Sequence, residues 1–273
     1  PDQVLANITA PTLILQGTID NLFPPSEAVA NYRALQAAGV TTKMVWFCGG
    51  HGICLTKGGE SSLPLEQTWL WLAKYLKGDT AVDTGPGFTW IDQRGRYRSA
   101  TDYPSAPRTL RARGVGELRL REKGGSGPYT SKLPSSISPT FSLVLRPTIP
   151  APAKNAVNVA IRAKKPSVVV GSPKLTLRYK GTSKNTKVRV LAQLVDPKTG
   201  LVLGNQITPF ALKLNGKRHT QDVAMEDVSF ALRKGQRLQL QIVANSGAYK
   251  TFPKGGRVTF SKVRIGLPVV SSS

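Results

Sequence analysis

The spacing of apolar residues changes once along this chain, and the change divides it into parts that cannot share one architecture. From Phe141 onward the period is two. The segments 141–145, 157–161, 175–179, 188–194, 238–242 and 258–263 each alternate apolar with polar side chains. Antiparallel strands with one wet face produce that pattern. Asp196-Pro197-Lys198-Thr199-Gly200 reads as a turn, since Pro presets φ and Gly accepts the position that needs positive φ. Arg233-Lys234-Gly235-Gln236 reads as another. At least six short strands predict an all-β sandwich over residues 141–273, most simply a jelly roll.

Residues 1–83 follow a different rule. Ala10 to Gly17 is a short apolar run closed by glycine, the signature of a buried parallel strand. A helix starts at Pro25 or Ser26, carries Val29, Tyr32 and Leu35, and stops at Gly39. Thr42 to Phe47 reads as a second strand. A last helix, near Leu65 to Lys77, sets Leu65, Trp69, Leu72 and Leu76 on one stripe before Gly78. Strand, helix, strand, helix is the α/β pattern. Residues 84–140, rich in Gly, Pro, Ser and Arg, read as a wrapping linker with isolated strands at 88–91 and 117–121.

Charge follows the same division. Residues 1–83 carry a net −2, residues 84–140 a net +6 and residues 141–273 a net +19, which together make the formal +23. A field of that size suits an anionic partner, whether nucleic acid, an acidic envelope polymer or a lipid surface. The plainer reading is a solvated basic face, because Arg178, Lys180, Lys187, Arg189 and Arg237 fall on outward positions of the strands. Arg94-Gly95-Arg96-Tyr97-Arg98 gathers three guanidiniums around one ring, a weak signal for phosphate or base contact. His219, in a polar loop, reads as solvent-exposed.

No run reaches the roughly 18 to 20 apolar residues of a spanning helix. The opening Pro1-Asp2-Gln3 has no initiator Met and no signal-peptide shape, so the chain reads as a piece of something longer.

Chemistry in open parallel sheets collects at the carboxyl ends of strands. Asp20 follows the first strand and His51 the second. If those strands are neighbours, the carboxylate accepts the Nδ1 proton of the imidazole, fixes its tautomer and leaves Nε2 as a general base. The plainer readings are an Asx turn for Asp20 and a loop-structuring role for His51. Two cysteines, Cys48 and Cys54, bracket that histidine in a glycine-rich loop. Their spacing draws neither a zinc site nor a C-x-x-C redox pair, and nothing calls for a metal or cofactor. A loop disulfide, which would imply export to a secreted or cell-envelope location, stands against two buried thiols in a reducing cytoplasm.

Taken together, Gly17-Thr18-Ile19-Asp20-Asn21-Leu22-Phe23-Pro24, Trp46-Phe47-Cys48-Gly49-Gly50-His51-Gly52 and Trp71 to Gly78 resemble the end of the α/β-hydrolase domain in the X-prolyl dipeptidyl peptidase and cocaine esterase group. The resemblance covers residues 8–78, and beyond them only an outline, through Asp83 to Phe88 and the β-rich tail. It implies the end of an α/β-hydrolase sheet followed by a jelly-roll sandwich. It also implies the chain order Ser, Asp, His, with Asp20 as the triad acid and His51 as the base. The departure concerns the nucleophile, because no G-x-S-x-G occurs. Gly124-Gly125-Ser126-Gly127 and Gly59-Glu60-Ser61-Ser62 read as loops.

The expectation is therefore the C-terminal fragment of a serine hydrolase acting on acyl esters or X-Pro peptides. Its partner would be an upstream segment bearing the serine, in the same precursor or on a separate chain, and alone it would be inactive. The alternative is a non-catalytic basic β-sandwich that binds an anionic surface.

Overall fold

The computed structural model describes residues 2–5, 7–104, 108–129, 138–140, 149–249 and 255–270. The chain is mostly sheet and divides into two compact units, Pro1–Ser105 with Ser229–Ala231, and Ala106–Val228 with Leu232–Ser273. The division falls at 105, where the sequence reading set a linker over 84–140. The described strands within that stretch hydrogen-bond into two different sheets.

The first unit contains α1 (Asp2–Leu5), β1 (Thr12–Gly17), α2 (Pro25–Ala37), β2 (Thr42–Phe47), α3 (Leu63–Tyr75), β3 (Phe88–Ile91) and β4 (Tyr97–Ala100). Its four-stranded sheet runs β1-β2-β3-β4, with β1, β2 and β3 parallel and β4 antiparallel to β3. Pro25 opens α2, where its missing N–H costs nothing. Gly39, at φ +77°, ends it. Ala28, Val29, Tyr32 and Leu35 form the buried stripe of α2. Under the sheet, Trp46 and Phe88 meet edge to face with centroids 5.2 Å apart, and Phe88 also packs against Trp90 and Tyr103. The Tyr32 hydroxyl donates to Oδ1 of Asp102 at 2.8 Å. Burial first, and then that carboxylate, pushes the phenol up, so it remains a donor.

The stripe expected on α3 exists but is not buried. Leu65, Trp69, Leu72 and Leu76 are 59, 63, 36 and 77% exposed, and only Trp71 is buried. β1 is likewise parallel as expected but only half-buried, an edge strand with Leu15 41% exposed.

The second unit comprises β5 (Arg108–Arg119), β6 (Ala156–Arg162), β7 (Ser167–Gly171), β8 (Lys174–Asp196), β9 (Leu201–Ala224), β11 (Arg237–Val243), β12 (Arg257–Val270) and the two end residues of β10 (Val228–Leu232), whose middle, Ser229–Ala231, groups with the first unit. The anticipated strands 175–179 and 188–194 are one strand, β8, and the anticipated strand 141–145 lies outside the described residues. β8 and β9 form a hairpin 23 and 24 residues long, closed by the predicted Asp196 turn with Gly200 at φ +70°. Register breaks between Lys180 and Lys187 divide it. Before the break β8 pairs with β12, and after it with β11.

β5, paired with β12, lies across β6 without hydrogen-bonding to it. Cβ atoms added at Gly114 and Gly116 would stand 2.7 and 2.8 Å from Val159 and Val157, so only glycine lets the two strands approach. Leu238, Leu240, Leu175, Leu177, Val263 and Ile265 fill the interior, each contributing about 1.5 to 3 kcal/mol by burial. Polar groups buried there are satisfied in a chain: Ser126 Oγ bonds to Gln193 Oε1 at 2.6 Å, and Gln193 Nε2 donates to Gln241 Oε1 at 2.9 Å.

Candidate active site

β1 and β2 pair in register from Thr12 with Thr42 to Gly17 with Phe47, so both chains leave the sheet at the same height. The Thr18 N–H continues the ladder onto the Phe47 carbonyl at 2.8 Å. The loop after β2 then doubles back over the one after β1. Two glycines allow the contact. A Cβ at Gly17 would run into the backbone of Gly49, and one at Gly50, whose φ is +113°, would lie 2.7 Å from both Cβ and Oδ2 of Asp20.

Asp20 and His51, the two residues singled out by strand-end position, are brought together. Nδ1 of His51 lies 2.7 Å from Oδ2 of Asp20, and the backbone N–H of His51 donates to the same oxygen at 3.1 Å. Oδ1 accepts from the N–H groups of Leu22 and Phe23, at 3.0 and 2.9 Å. The Asx turn and the imidazole contact therefore coexist on one carboxylate, one to each oxygen.

The Asp20 side chain is 7% exposed and that of His51 is 57% exposed. Burial pushes the Asp20 carboxyl up, but the N–H of Phe23, the imidazole and the N–H groups of His51 and Leu22 outweigh it and hold the group below its usual range. A carboxylate at Nδ1 is an acceptor placed for the N–H of that nitrogen, with Nε2 on the far side of the ring. Among the described residues Nε2 has no hydrogen-bond partner. Phe23 flanks the ring, with centroids 5.4 Å apart. Nothing in the sequence marked Phe23 as a neighbour of the ring; the Asx turn itself is closed by the N–H of Leu22, two residues after Asp20.

Cys48 and Cys54 are bonded to each other, with Cα atoms 5.5 Å apart, which decides between bridge and free thiols. The bond closes a small ring of chain around His51.

Of the serines in the two glycine-flanked segments, Ser126 is buried in the second unit with its hydroxyl bonded to Gln193, and Ser62, next to Ser61, bonds to Glu60 and Glu66 at the start of α3. The arginine cluster at 94–98 is a structural hairpin. Asp92 Oδ1 accepts from the N–H of Arg94 at 2.8 Å, and Oδ2 pairs with Arg98 at 2.6 Å, so that guanidinium is consumed inside the unit. His219 is half-buried, its Nε2 2.8 Å from Oδ1 of Asn215, a little less open than expected. No group of three His, Cys, Asp or Glu side chains among the described residues is placed to hold a metal ion.

No family model matches this sequence, and no curated protein does. Solved structures do. An aminopeptidase from a marine sediment Thaumarchaeota archaeon superposes with a TM-score of 0.72 and 13% identity, over 99% of this chain and 57% of its own. A CocE/NonD family hydrolase from Staphylococcus aureus gives 0.66 and 11%, over 98% of this chain and 55% of its own. An α-amino acid ester hydrolase gives 0.68 and 12%, over 98 and 57%. This chain therefore shares its fold with a C-terminal part of the CocE/NonD group of hydrolases, spanning a little over half of the length of those proteins.

Proposed function

We propose that this chain is the C-terminal part of a serine hydrolase, with Asp20 and His51 as two of the three members of its catalytic triad. The first unit would be the end of an α/β-hydrolase sheet, and the second a jelly-roll sandwich appended to it. The observation that carries the reading is the 2.7 Å contact between His51 Nδ1 and a carboxylate kept ionised by its own loop.

In the complete enzyme, His51 Nε2 takes the proton of an incoming serine hydroxyl as the oxygen attacks an acyl carbon, then returns it to the leaving alcohol or amine. Asp20 holds the ring and balances the imidazolium. The nucleophile and the oxyanion donors come from an upstream segment, in the same precursor or on a separate chain. The open edge of β1 and the exposed stripe of α3 support such a segment, since parallel edges and large apolar faces are normally covered. The substrate is an ester or a peptide, following the esters and peptides of the proteins that share the fold. The disulfide supports a secreted or cell-envelope location.

The test is to replace His51 with Ala, and separately Asp20 with Asn, in the full-length natural protein. Labelling by a serine-directed fluorophosphonate is then measured. Both variants are expected to lose nearly all labelling, and labelling at the normal rate would overturn the proposal.

A further inference from the structure

On the outer face of the second unit, paired strands set like charges directly against one another. Arg119 of β5 faces Arg257 of β12, Arg113 faces Arg264, Lys262 of β12 faces Arg178 of β8, and Lys180 of β8 faces Arg218 of β9. Like charges opposite each other in a sheet destabilise it, and four such pairs fall on one four-stranded face. Glu117 holds Arg257 at 3.4 Å, and both side chains are well exposed, so that single contact is heavily screened.

These strands also shape the surface. A groove of about 1010 Å³ is lined by Arg119, Arg121, Lys180, Arg218 and Arg257. Between the cations stand the hydroxyls of Thr182, Thr259 and Ser261. Its one aromatic, Tyr179, is 3% exposed and cannot offer a face to a ligand.

We infer that this groove binds an acidic polysaccharide. Guanidinium forks match sulfate, phosphate and carboxylate groups, and a chain carrying such groups at intervals would lie between the opposed cations and relieve their repulsion. The Thr182 and Thr259 hydroxyls that line it suit sugar hydroxyls, while that of Ser261 donates to the Arg178 carbonyl at 3.2 Å. Nucleic acid is the poorer occupant because no exposed ring is available to stack on bases. A flat bilayer is poorer still, because the cations line a recess. The inference stands independently of the hydrolase reading, since none of these residues belongs to the Asp20 and His51 site.

The experiment measures binding of the full chain to a fluorescent heparin oligosaccharide by anisotropy across a salt series. Variant A carries Arg119→Gln, Lys180→Gln, Arg218→Gln and Arg257→Gln. Variant B carries Arg162→Gln, Lys187→Gln, Lys213→Gln and Arg237→Gln, which removes equal charge from the like-charged pairs Arg162 with Arg237 and Lys187 with Lys213 outside the groove. Variant A is expected to weaken binding at least about tenfold and flatten the salt dependence, while B changes it less than about threefold. Equal losses in A and B would reduce the effect to net charge and overturn the inference. Tighter binding of single-stranded DNA of matched length, or of phosphatidylserine vesicles, would overturn the ligand class. Saturating heparin should raise the melting temperature of the wild type and of B but not of A, and an equal rise in A would also overturn the groove.

Discussion

The two units treat charge in opposite ways. In the first, two carboxylates are drawn inward and hydrogen-bonded on both oxygens: Asp20 by three backbone N–H groups and an imidazole, and Asp92 by two backbone N–H groups and a guanidinium. In the second, cations are pushed outward and set against one another. An inward charge fixes geometry, because both oxygens are committed to named donors. An outward, opposed charge leaves a demand for a counter-charge that Glu117, beside Arg257, meets only in part.

Removing an inward charge should do the most damage. Asp92→Ala leaves Arg98 without its partner and the β3–β4 turn without its acceptor, and should cost about 3 kcal/mol. Urea unfolding followed by hydrogen exchange at β3 and β4 measures it, and a loss below about 1 kcal/mol would break the contrast between the units. Gly50→Ala comes next. A methyl group forced against Asp20 at a positive φ should cost about 2 kcal/mol and abolish the low-field Nδ1 proton resonance of His51. An unchanged resonance would mean that the carboxylate does not depend on that close approach.

Acid provides a third measurement. Asp20 and Asp102 are held below the usual carboxylate range, Asp102 because hydrogen bonds from Tyr32 and Gln36 outweigh its burial. A carboxyl depressed in the folded state contributes its stability in full at neutral pH and loses it as pH falls through its folded value. Amides of the first unit should therefore lose protection between about pH 5 and 3, and Asp102→Asn should shallow that loss. The same pH slope in wild type and variant would remove Asp102 from the account. The smallest effect belongs to the other unit. Lys180→Gln or Arg113→Gln should stabilise the free protein by a few tenths of a kcal/mol, roughly, and added salt should do the same, as read from melting temperature. A loss of stability instead would show that the cations pack rather than repel.

Much of this was legible in the sequence, for identifiable reasons. α2 was bounded by Pro25 and Gly39, and β2 and β3 by glycines and turns, so local chemistry marked both ends. The meeting of Asp20 with His51 followed from strand-end position once β1 and β2 proved to be neighbours. The long hairpin was not legible. Tertiary pairing carries β8 and β9 past Gly181 and Gly216 with shifts of register, and past Pro209 without one, so local preference does not mark the full length of either strand. β7 and β10 are short and nearly all buried, so they lack the alternation that marked the other strands. The exposure of α3 was hidden too, since an amphipathic pattern reveals a face but not what covers it.

The bond between Cys48 and Cys54 has a consequence for assembly. Because it encloses the imidazole in a covalent loop of a few residues, the loop has few conformations open to it even when β2 frays. On the triad reading proposed above, the ring would then stand ready-aligned for a serine from elsewhere, and thiol reductants would slow that meeting by letting the tether go slack.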